Sequence, residues 1–130
     1  MTIDEAKKFF EGDKYATEST GCVLLEIGEN YAKAGLELND SHKNAHGGVM
    51  GGVMFTLADF VFAAATNTPG HFTCNVTSTI NFMSMPKGDK LIAEAHLIKD
   101  GRRNCYYEVN ITDSENRKVA SLMITGMHLS

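Results

Sequence analysis

The stretch NAHGGVMGGVMFTLADFVFAAATN occupies residues 44–67 and is apolar along most of its length. Residues 50–66 are long enough for a helix and rich in Met, Leu, Phe and Ala, and the turn sequence NTPG follows at residues 67–70. A helix with apolar residues on nearly every side is typical of a buried helix. We therefore expect the rest of the chain to fold around it.

The flanking sequence predicts strands that surround this helix. Alternating apolar and polar residues and turn-like breaks indicate two strands before the helix, within residues 22–38, and four after it, at residues 72–83, 90–99, 104–113 and 117–128. Residues 1–12 predict a short helix that Thr2 caps, with Glu5 completing a capping box and Gly12 ending it. The expected fold is α+β, a single domain over residues 1–130 with one antiparallel sheet curled around the long helix.

Composition narrows the classes of function. The 130 residues carry a formal net charge of −4, which argues against non-specific nucleic-acid binding. Three widely spaced cysteines form no disulfide framework, and the first ten residues do not look like a signal peptide. No apolar run is long and uninterrupted enough to span a membrane. We expect a cytoplasmic protein that binds neither nucleic acid nor membrane.

Two glycines, Gly51 and Gly52, lie where the long helix begins. The first N–H groups of a helix have no intrahelical acceptor, and glycine lets a ligand oxygen approach the backbone closely. Such donors suit a developing oxyanion. A phosphate-binding loop is excluded because no Lys-Ser/Thr pair follows the glycines. Close helix packing through the G-x-x-x-G spacing remains an alternative explanation.

Asp59 is the only carboxylate in the apolar helix. Apolar surroundings would make it a good base or nucleophile, although a hydrogen bond from Thr56 would instead make it a satisfied structural residue. Eight residues separate Gly51 from Asp59, which is about 12 Å along a helix, so one carbonyl group cannot contact both. Two copies packed with antiparallel helices would bring Gly51 of one to Asp59 of the other.

The element order resembles the hotdog fold, and residues 44–67 resemble the signature of the phenylacetic-acid-degradation (PaaI-type) acyl-CoA thioesterases, kin of the 4-hydroxybenzoyl-CoA thioesterases. That signature places an Asn, then His-Gly-Gly, then an Asp in the helix. Counting back from Asp59, Gly51 and Gly52 match the paired glycines, Asn44 matches the Asn, and Met50 stands where the family has His. Matching His46-Gly47-Gly48 to His-Gly-Gly would need four extra residues before Asp59.

The resemblance implies roles for these residues. Asp59 would be the general base or nucleophile, the Gly51 N–H would polarise the thioester carbonyl, and Asn44 would hold the water or the carbonyl. Thr77, with Ser78 beside it, occupies the place of a hydroxyl residue that orients the water. His46 would partly replace the missing family His, or else is simply a solvated loop residue.

The resemblance also implies the binding partners. Coenzyme A would be bound as part of the substrate, near Met50 and Gly52 and through the basic residues Lys87, Arg102 and Arg103. We expect no separate cofactor and no metal, because the His42–His46 spacing falls in a glycine-rich loop rather than a helix. The chain is expected to form a homodimer with shared active sites, and a dimer of dimers (a homotetramer).

Two other functions remain open on the same fold. With Met50 in place of the His, the chain could be a non-catalytic protein that binds or senses acyl-CoA. A dehydratase acting on acyl carrier protein would need a catalytic His, which this alignment does not supply. The acyl group stays undetermined among phenylacetyl, other aromatic and medium-chain groups, because the fold does not determine the substrate.

Overall fold

Two α-helices and six strands make up the computed structural model, which describes residues 1–130. The helices are α1 (Ile3–Phe10) and α2 (Gly51–Thr66). The strands are β1 (Val23–Gly28), β2 (Tyr31–Glu37), β3 (Thr73–Phe82), β4 (Lys90–Asp100), β5 (Asn104–Asp113) and β6 (Lys118–His128). A π-helical turn at Tyr15–Thr20 and a 3-10 turn at Asp40–His42 were not expected from the sequence.

All six strands form one antiparallel sheet in the order β1-β2-β4-β5-β6-β3. Alternate residues of the central strands face α2 and are fully buried, among them Leu91, Ile111 and Leu122. Leu57, Val61 and Phe62 of α2 pack against them. Burying this apolar surface is the main source of stability. The prediction of a hotdog arrangement, a sheet around one long helix, is confirmed.

The short helix α1 begins as the sequence predicts. The Glu5 N–H donates to Thr2 Oγ1 at 3.2 Å, and the Thr2 N–H donates to Glu5 Oε1 at 2.8 Å, which completes the capping box. Phe10, on the buried face, contacts Phe60 of α2 edge to face at 6.2 Å. The contact places α1 and the turn after it beside the middle of α2.

One face of α2 is exposed in the single chain, which corrects the expectation of a helix buried on every side. Gly52, Phe55 and Asp59 lie three to four residues apart, and all three are exposed. Phe55 is exposed by 38 %, which is unusual for a phenylalanine in the middle of such an apolar helix. The sequence pattern missed this face because its residues are themselves mostly apolar.

The strand β3 is a long edge strand with an irregularity. Asn75 pairs with Gly126 and Thr77 pairs with Thr125, so Val76 is an extra residue in the ladder. Beyond this bulge the side-chain alternation is shifted by one residue. The outer edge of β3 has no partner strand within the chain. Neither helix is long and apolar enough to cross a membrane.

A buried carboxylate, Asp113, fastens the segment that leads from β3 to β4. Its oxygens accept from the N–H groups of Lys87, Glu115 and Arg117, and from the Arg117 guanidinium at 3.0–3.1 Å. Arg117 also donates to the Met85 carbonyl. Burial raises the pKa of Asp113, but these hydrogen bonds outweigh burial and lower it to about 2.

We expect Asp113→Asn to remove a pH-dependent part of the folding stability. Because the folded pKa lies below the unfolded value of 3.8, the carboxylate stabilises the fold fully above about pH 4 and loses this effect as the pH falls toward 2. Urea unfolding of both proteins between pH 6 and pH 2 checks this. The two stabilities should converge at low pH; a constant difference would contradict the role of Asp113.

Candidate active site

The N-terminus of α2 presents free backbone donors. Gly51 is the first helical residue, Met50 precedes it without a capping side-chain hydrogen bond, and neither the Gly51 nor the Gly52 N–H has an acceptor within the chain. A cavity of about 440 Å³ lies at this end of the helix. The residues that line it include Gly51, Met54, Phe82, Met83 and Met85. This end can therefore bind an oxygen atom of partial negative charge inside an apolar pocket.

The Phe82 ring lies close to the backbone at position 51. A Cβ at Gly51 would lie 2.8 Å from the Phe82 ring, whereas a Cβ at Gly52 would meet nothing within 4 Å. The space above the Gly51 N–H is thus bounded on one side by the phenyl ring. Any larger residue must push that ring aside.

The upstream glycine pair is already used within the loop. The Gly47 N–H donates to the Asn44 carbonyl at 2.9 Å, and the Gly48 N–H donates to Asn44 Oδ1 at 3.0 Å. Gly47 also has a φ of +83°, a turn conformation. These donors are not free for a ligand, which favours Gly51 over Gly47 as the oxyanion donor.

Asn44 has a bracing role in this loop as well as a free amide. Its Oδ1 accepts from the backbone N–H groups of both His46 and Gly48, each at 3.0 Å. Its Nδ2 makes no hydrogen bond within the chain and remains available to a ligand. His46 is exposed, and its ring makes no hydrogen bond. Met50 is exposed by 48 % next to the free N–H groups.

Asp59 lies on the exposed face of α2, which corrects the expectation of a carboxylate enclosed by apolar groups. Its Oδ1 accepts from Asn75 Nδ2 of β3 at 3.0 Å, and Ser78 Oγ donates in turn to Asn75 Oδ1 at 2.8 Å. The Thr56 hydroxyl does not satisfy Asp59, because it donates to the Gly52 carbonyl at 2.9 Å. One carboxylate oxygen is held while the other stays free for chemistry.

The strand residue that reaches Asp59 is Asn75 rather than Thr77. Thr77 pairs with Thr125 on the sheet face turned away from α2 and is exposed, so it does not lie near Asp59 of its own chain. The bulge at Val76 is the reason, because it places Asn75 and Ser78 on the helix-facing side together. Regular alternation would have put residues 75 and 77 on one face, so the sequence carried no signal for this change.

A cavity of about 650 Å³ adjoins Asp59 and Asn75. Aromatic side chains form part of its wall, from α1, α2 and the start of β3: Phe9, Phe10, Phe62 and Phe72. A second carboxylate, Asp13, lines it too. Burial raises the pKa of Asp13 above its ordinary value, and the negative charge of Asp59 raises it further. Asp13 lies 46 positions from Asp59, and nothing in the sequence connected the two.

The Gly51 N–H and the Asp59 carboxylate lie apart within the chain. The cavity at Gly51 and the cavities at Asp59 share no lining residue. Along one helix the two residues are about 12 Å apart. One carbonyl group bound to a single chain therefore cannot contact both groups.

The basic residues suggested for coenzyme A do not form one patch within the chain. Lys87 precedes β4, whereas Arg102 and Arg103 follow it, and β4 has 11 residues, a length of about 35 Å. All three are exposed. Within a single chain the 11 residues of β4 separate Lys87 from the two arginines, and their grouping at one coenzyme A site stays a prediction.

His42 is unavailable to a metal. Its Nε2 lies 2.7 Å from the Thr20 carbonyl, and its Nδ1 accepts from the Asn39 N–H at 3.1 Å. The buried ring ties the loop to the turn before β1, and His46 points elsewhere into solvent. His42 is a structural residue.

Comparisons with known proteins place this geometry in context. Residues 46–120 match the Thioesterase superfamily. The acyl-coenzyme A thioesterase PaaI of Escherichia coli (strain K12) is 28 % identical over 116 residues, covering 88 % of this chain and 82 % of its own. Human acyl-coenzyme A thioesterase 13 is 28 % identical over 99 residues, covering 72 % and 66 %.

Solved structures show the same fold. The E. coli PaaI protein from the phenylacetic acid degradation operon superposes with a TM-score of 0.88 at 22 % identity, over 100 % of this chain and 97 % of that one. A hypothetical thioesterase from Streptococcus pneumoniae TIGR4, solved with coenzyme A, superposes with a TM-score of 0.84 at 22 % identity, over 93 % and 97 %.

Proposed function

Because the chain belongs to the Thioesterase superfamily, we propose that it hydrolyses acyl-CoA thioesters to the free acid and coenzyme A. Two relatives carry the name acyl-coenzyme A thioesterase, and one structural neighbour was solved with coenzyme A. The observation that carries the proposal is the pair of half-sites on α2: unpaired N–H donors at Gly51 and a half-held carboxylate at Asp59.

Asp59 supplies the attacking group in this proposal. Its carboxylate either removes a proton from a water that attacks the thioester carbon, or attacks that carbon itself. Asn75 holds one oxygen of Asp59 and so limits the orientations of the other. The Gly51 N–H stabilises the negative charge that develops on the carbonyl oxygen. Collapse of the tetrahedral intermediate breaks the C–S bond and expels the thiolate of coenzyme A. When Asp59 acts as the base, the proton that it took from water returns to this thiolate and the free acid leaves. When Asp59 acts as the nucleophile, an acyl-Asp59 anhydride forms, and a water molecule hydrolyses it to the free acid, restores the carboxylate and supplies the proton for the thiolate.

A two-fold dimer completes the site. The exposed face of α2 has Phe55 midway between Gly51 and Asp59, so a two-fold axis near Phe55 places Gly51 of each chain opposite Asp59 of the other. The unpaired edge of β3 offers a second surface for the same dimer, since two antiparallel edges can pair.

The same axis affects the basic residues. Lys87 lies at the end of the sheet where β3 ends, and Arg102 lies at the opposite end. When two β3 edges pair antiparallel, Lys87 of one chain comes toward Arg102 of the other, so both cations lie near one substrate. Exposed apolar residues on the outer sheet face, including Tyr106 and Met123, support further association into a dimer of dimers.

Acyl-CoA turnover with free-thiol detection tests the proposed activity. The panel consists of phenylacetyl-CoA, another aromatic acyl-CoA and medium-chain acyl-CoAs, with Asp59→Asn as the background control. We expect turnover of at least one ester by the wild type alone. Equal thiol release from both proteins on every ester would contradict hydrolysis at Asp59.

A non-catalytic acyl-CoA binder is the second candidate, and Met50 is the observation that favours it. The thioether cannot donate a hydrogen bond beside the oxyanion donors, where the family has His. Equilibrium binding of the same esters separates the two functions. Tight binding without any turnover would favour the binder.

The free amide of Asn44 is expected to act on the substrate. Asn44→Asp keeps an acceptor for the His46 and Gly48 N–H groups but removes the Nδ2 donor, so kcat/KM should fall at least about tenfold while Tm changes little. Asn44→Ala removes the brace as well and should also lower stability by about 1 kcal/mol. Steady-state kinetics and thermal unfolding check both. An unchanged kcat/KM in Asn44→Asp would show that Asn44 only stabilises the loop and does not act on the substrate.

A further inference from the structure

Three possible metal ligands converge at one end of the sheet. Asp100 ends β4, Cys105 lies near the start of β5, and His128 ends β6. Their ligand atoms all lie within 4.8 Å of one another. Asp100 pairs with Cys105 and Cys105 pairs with Gly126 in adjacent ladders, so three neighbouring strands contribute one ligand each.

The His128 ring is held in the orientation that a metal ligand needs. Its Nδ1 lies 2.8 Å from the Oγ1 of the buried Thr73 and 3.1 Å from Nε2 of His71, while its Nε2 lies 2.8 Å from Asp100 Oδ1. Metal-binding histidines usually have the second ring nitrogen fixed by a hydrogen bond of this kind. Thr73 therefore aims Nε2 at the space that Asp100 and Cys105 share.

With a neutral His128 ring the hydrogen-bond chain has two consistent proton arrangements, whereas a doubly protonated ring forms an ion pair with Asp100. In the first, Nε2–H of His128 donates to Asp100, and Nδ1 accepts from the Thr73 hydroxyl. In the second, Nδ1–H donates to Thr73, whose hydroxyl donates to His71, 3.0 Å away. The second arrangement leaves a lone pair on Nε2 facing a carboxylate oxygen at 2.8 Å, which is favourable only with a cation between them.

Space for the thiol comes from Gly126. A Cβ at Gly126 would lie 2.7 Å from the Phe62 ring, 2.8 Å from Cys105 Sγ and 3.1 Å from the Thr73 methyl group. The lack of a side chain at position 126 thus leaves room for the thiol beside the Phe62 ring. Asp100, with 51 % of its side chain exposed, leaves a path from solvent.

We propose that Asp100, Cys105 and His128 bind one Zn²⁺ ion, with a water molecule as the fourth ligand. Ligand atoms of a tetrahedral zinc site lie about 3.3–3.8 Å apart, so small side-chain rotations bring these three into place. The thiol releases its proton to solvent on binding, and the thiolate and carboxylate balance the charge of the ion. A thiolate with an imidazole selects Zn²⁺ over Mg²⁺ or Ca²⁺.

The proposed site differs from the expectation that the chain has no metal site, and its three ligands do not line the cavity at Asp59. Its ligands belong to three strands and match no metal-binding spacing in the sequence. The ion would join the ends of β4, β5 and β6, and so stabilise the folded state by mass action.

Metal titration of the chelator-treated full chain tests the proposal. We expect one Zn²⁺ per chain by calorimetry, a rise in Tm, and a thiolate-to-metal charge-transfer band when Co²⁺ replaces Zn²⁺. Asp100→Asn, at an exposed position that the fold tolerates, should weaken binding at least about tenfold, and Thr73→Val should weaken it about 10- to 100-fold. Cys105→Ser should abolish the charge-transfer band.

Matched controls are Cys74→Ser, a thiol outside the cluster, and His96→Gln, a histidine beside Glu94. Both should bind Zn²⁺ like the wild type. Nitrogen NMR of His128 should show Nδ1 protonated and Nε2 without a proton when Zn²⁺ is bound, a state that the ion pair with Asp100 does not give. No 1:1 binding, a Co²⁺ complex without a thiolate band, or equal weakening by Cys74→Ser would overturn the proposal and leave an ordinary His–Asp ion pair.

Discussion

Asp59→Asn is expected to lower kcat for acyl-CoA hydrolysis by about 10²–10⁴-fold, the contribution usual for a general base. The fold should be unaffected, because Asp59 is exposed and an amide oxygen at this position still accepts from Asn75 Nδ2. Steady-state kinetics with free-thiol detection measure kcat, and thermal unfolding measures Tm. KM should change little, since no positively charged group contacts Asp59.

Asp13→Asn is the matched control for that experiment, because Asp13 lines the same cavities. Its activity should stay within about tenfold of the wild type, since the large base contribution belongs to Asp59. Near-normal turnover by a folded Asp59→Asn protein would make Asp59 structural. A greater loss in Asp13→Asn than in Asp59→Asn would move the base to Asp13.

Gly51→Ala keeps the backbone N–H but crowds it, so kcat is expected to fall at least about tenfold, up to the 10²–10³-fold that loss of a whole oxyanion donor costs. The new Cβ would lie 2.8 Å from the Phe82 ring, so the ring must move, and the methyl and the ring together crowd the Gly51 N–H. Phe82 is exposed by 53 % and can rotate, so Tm should change little. Kinetics and thermal unfolding check both effects.

Gly52→Ala is the control, since its Cβ meets nothing within 4 Å in the chain. Because Gly52 lies on the face that the proposed dimer buries, the dimer is verified by light scattering, and the dimeric variant should keep most of the activity. Equal losses from the two substitutions would show that crowding of the helix N-terminus in general, rather than the Gly51 donor, limits the reaction. Full activity of Gly51→Ala would show that the added methyl group does not crowd the donor and would contradict the expected effect.

The sequence was enough to predict the fold, because each element carries its own pattern. The apolar run predicted α2 to within one residue, and the period-two alternation predicted all four later strands to within a residue at each end. The match of residues 46–120 confirms the thioesterase resemblance and, with it, the prediction of a thioester hydrolase.

Parts of the site depend on contacts between elements, and the sequence could not supply them. The bulge at Val76 is visible only against the register of β6, and it moves the contact with Asp59 from Thr77 to Asn75. The exposed face of α2 was hidden because Phe55 is as apolar as the core residues. Lys87 and Arg102 were grouped by composition, although β4 separates them.

Subunit complementation tests the shared site most directly. Asp59→Asn and Gly51→Ala chains, each nearly inactive, are mixed in equal amounts and allowed to exchange subunits, which mass spectrometry of a tagged chain verifies. Random exchange gives one half mixed dimers, and each has one site with Gly51 from one chain and Asp59 from the other. If the chains share their sites, the mixture regains about one quarter of the wild-type activity. Activity no higher than the average of the two variants, despite verified exchange, would contradict the shared site.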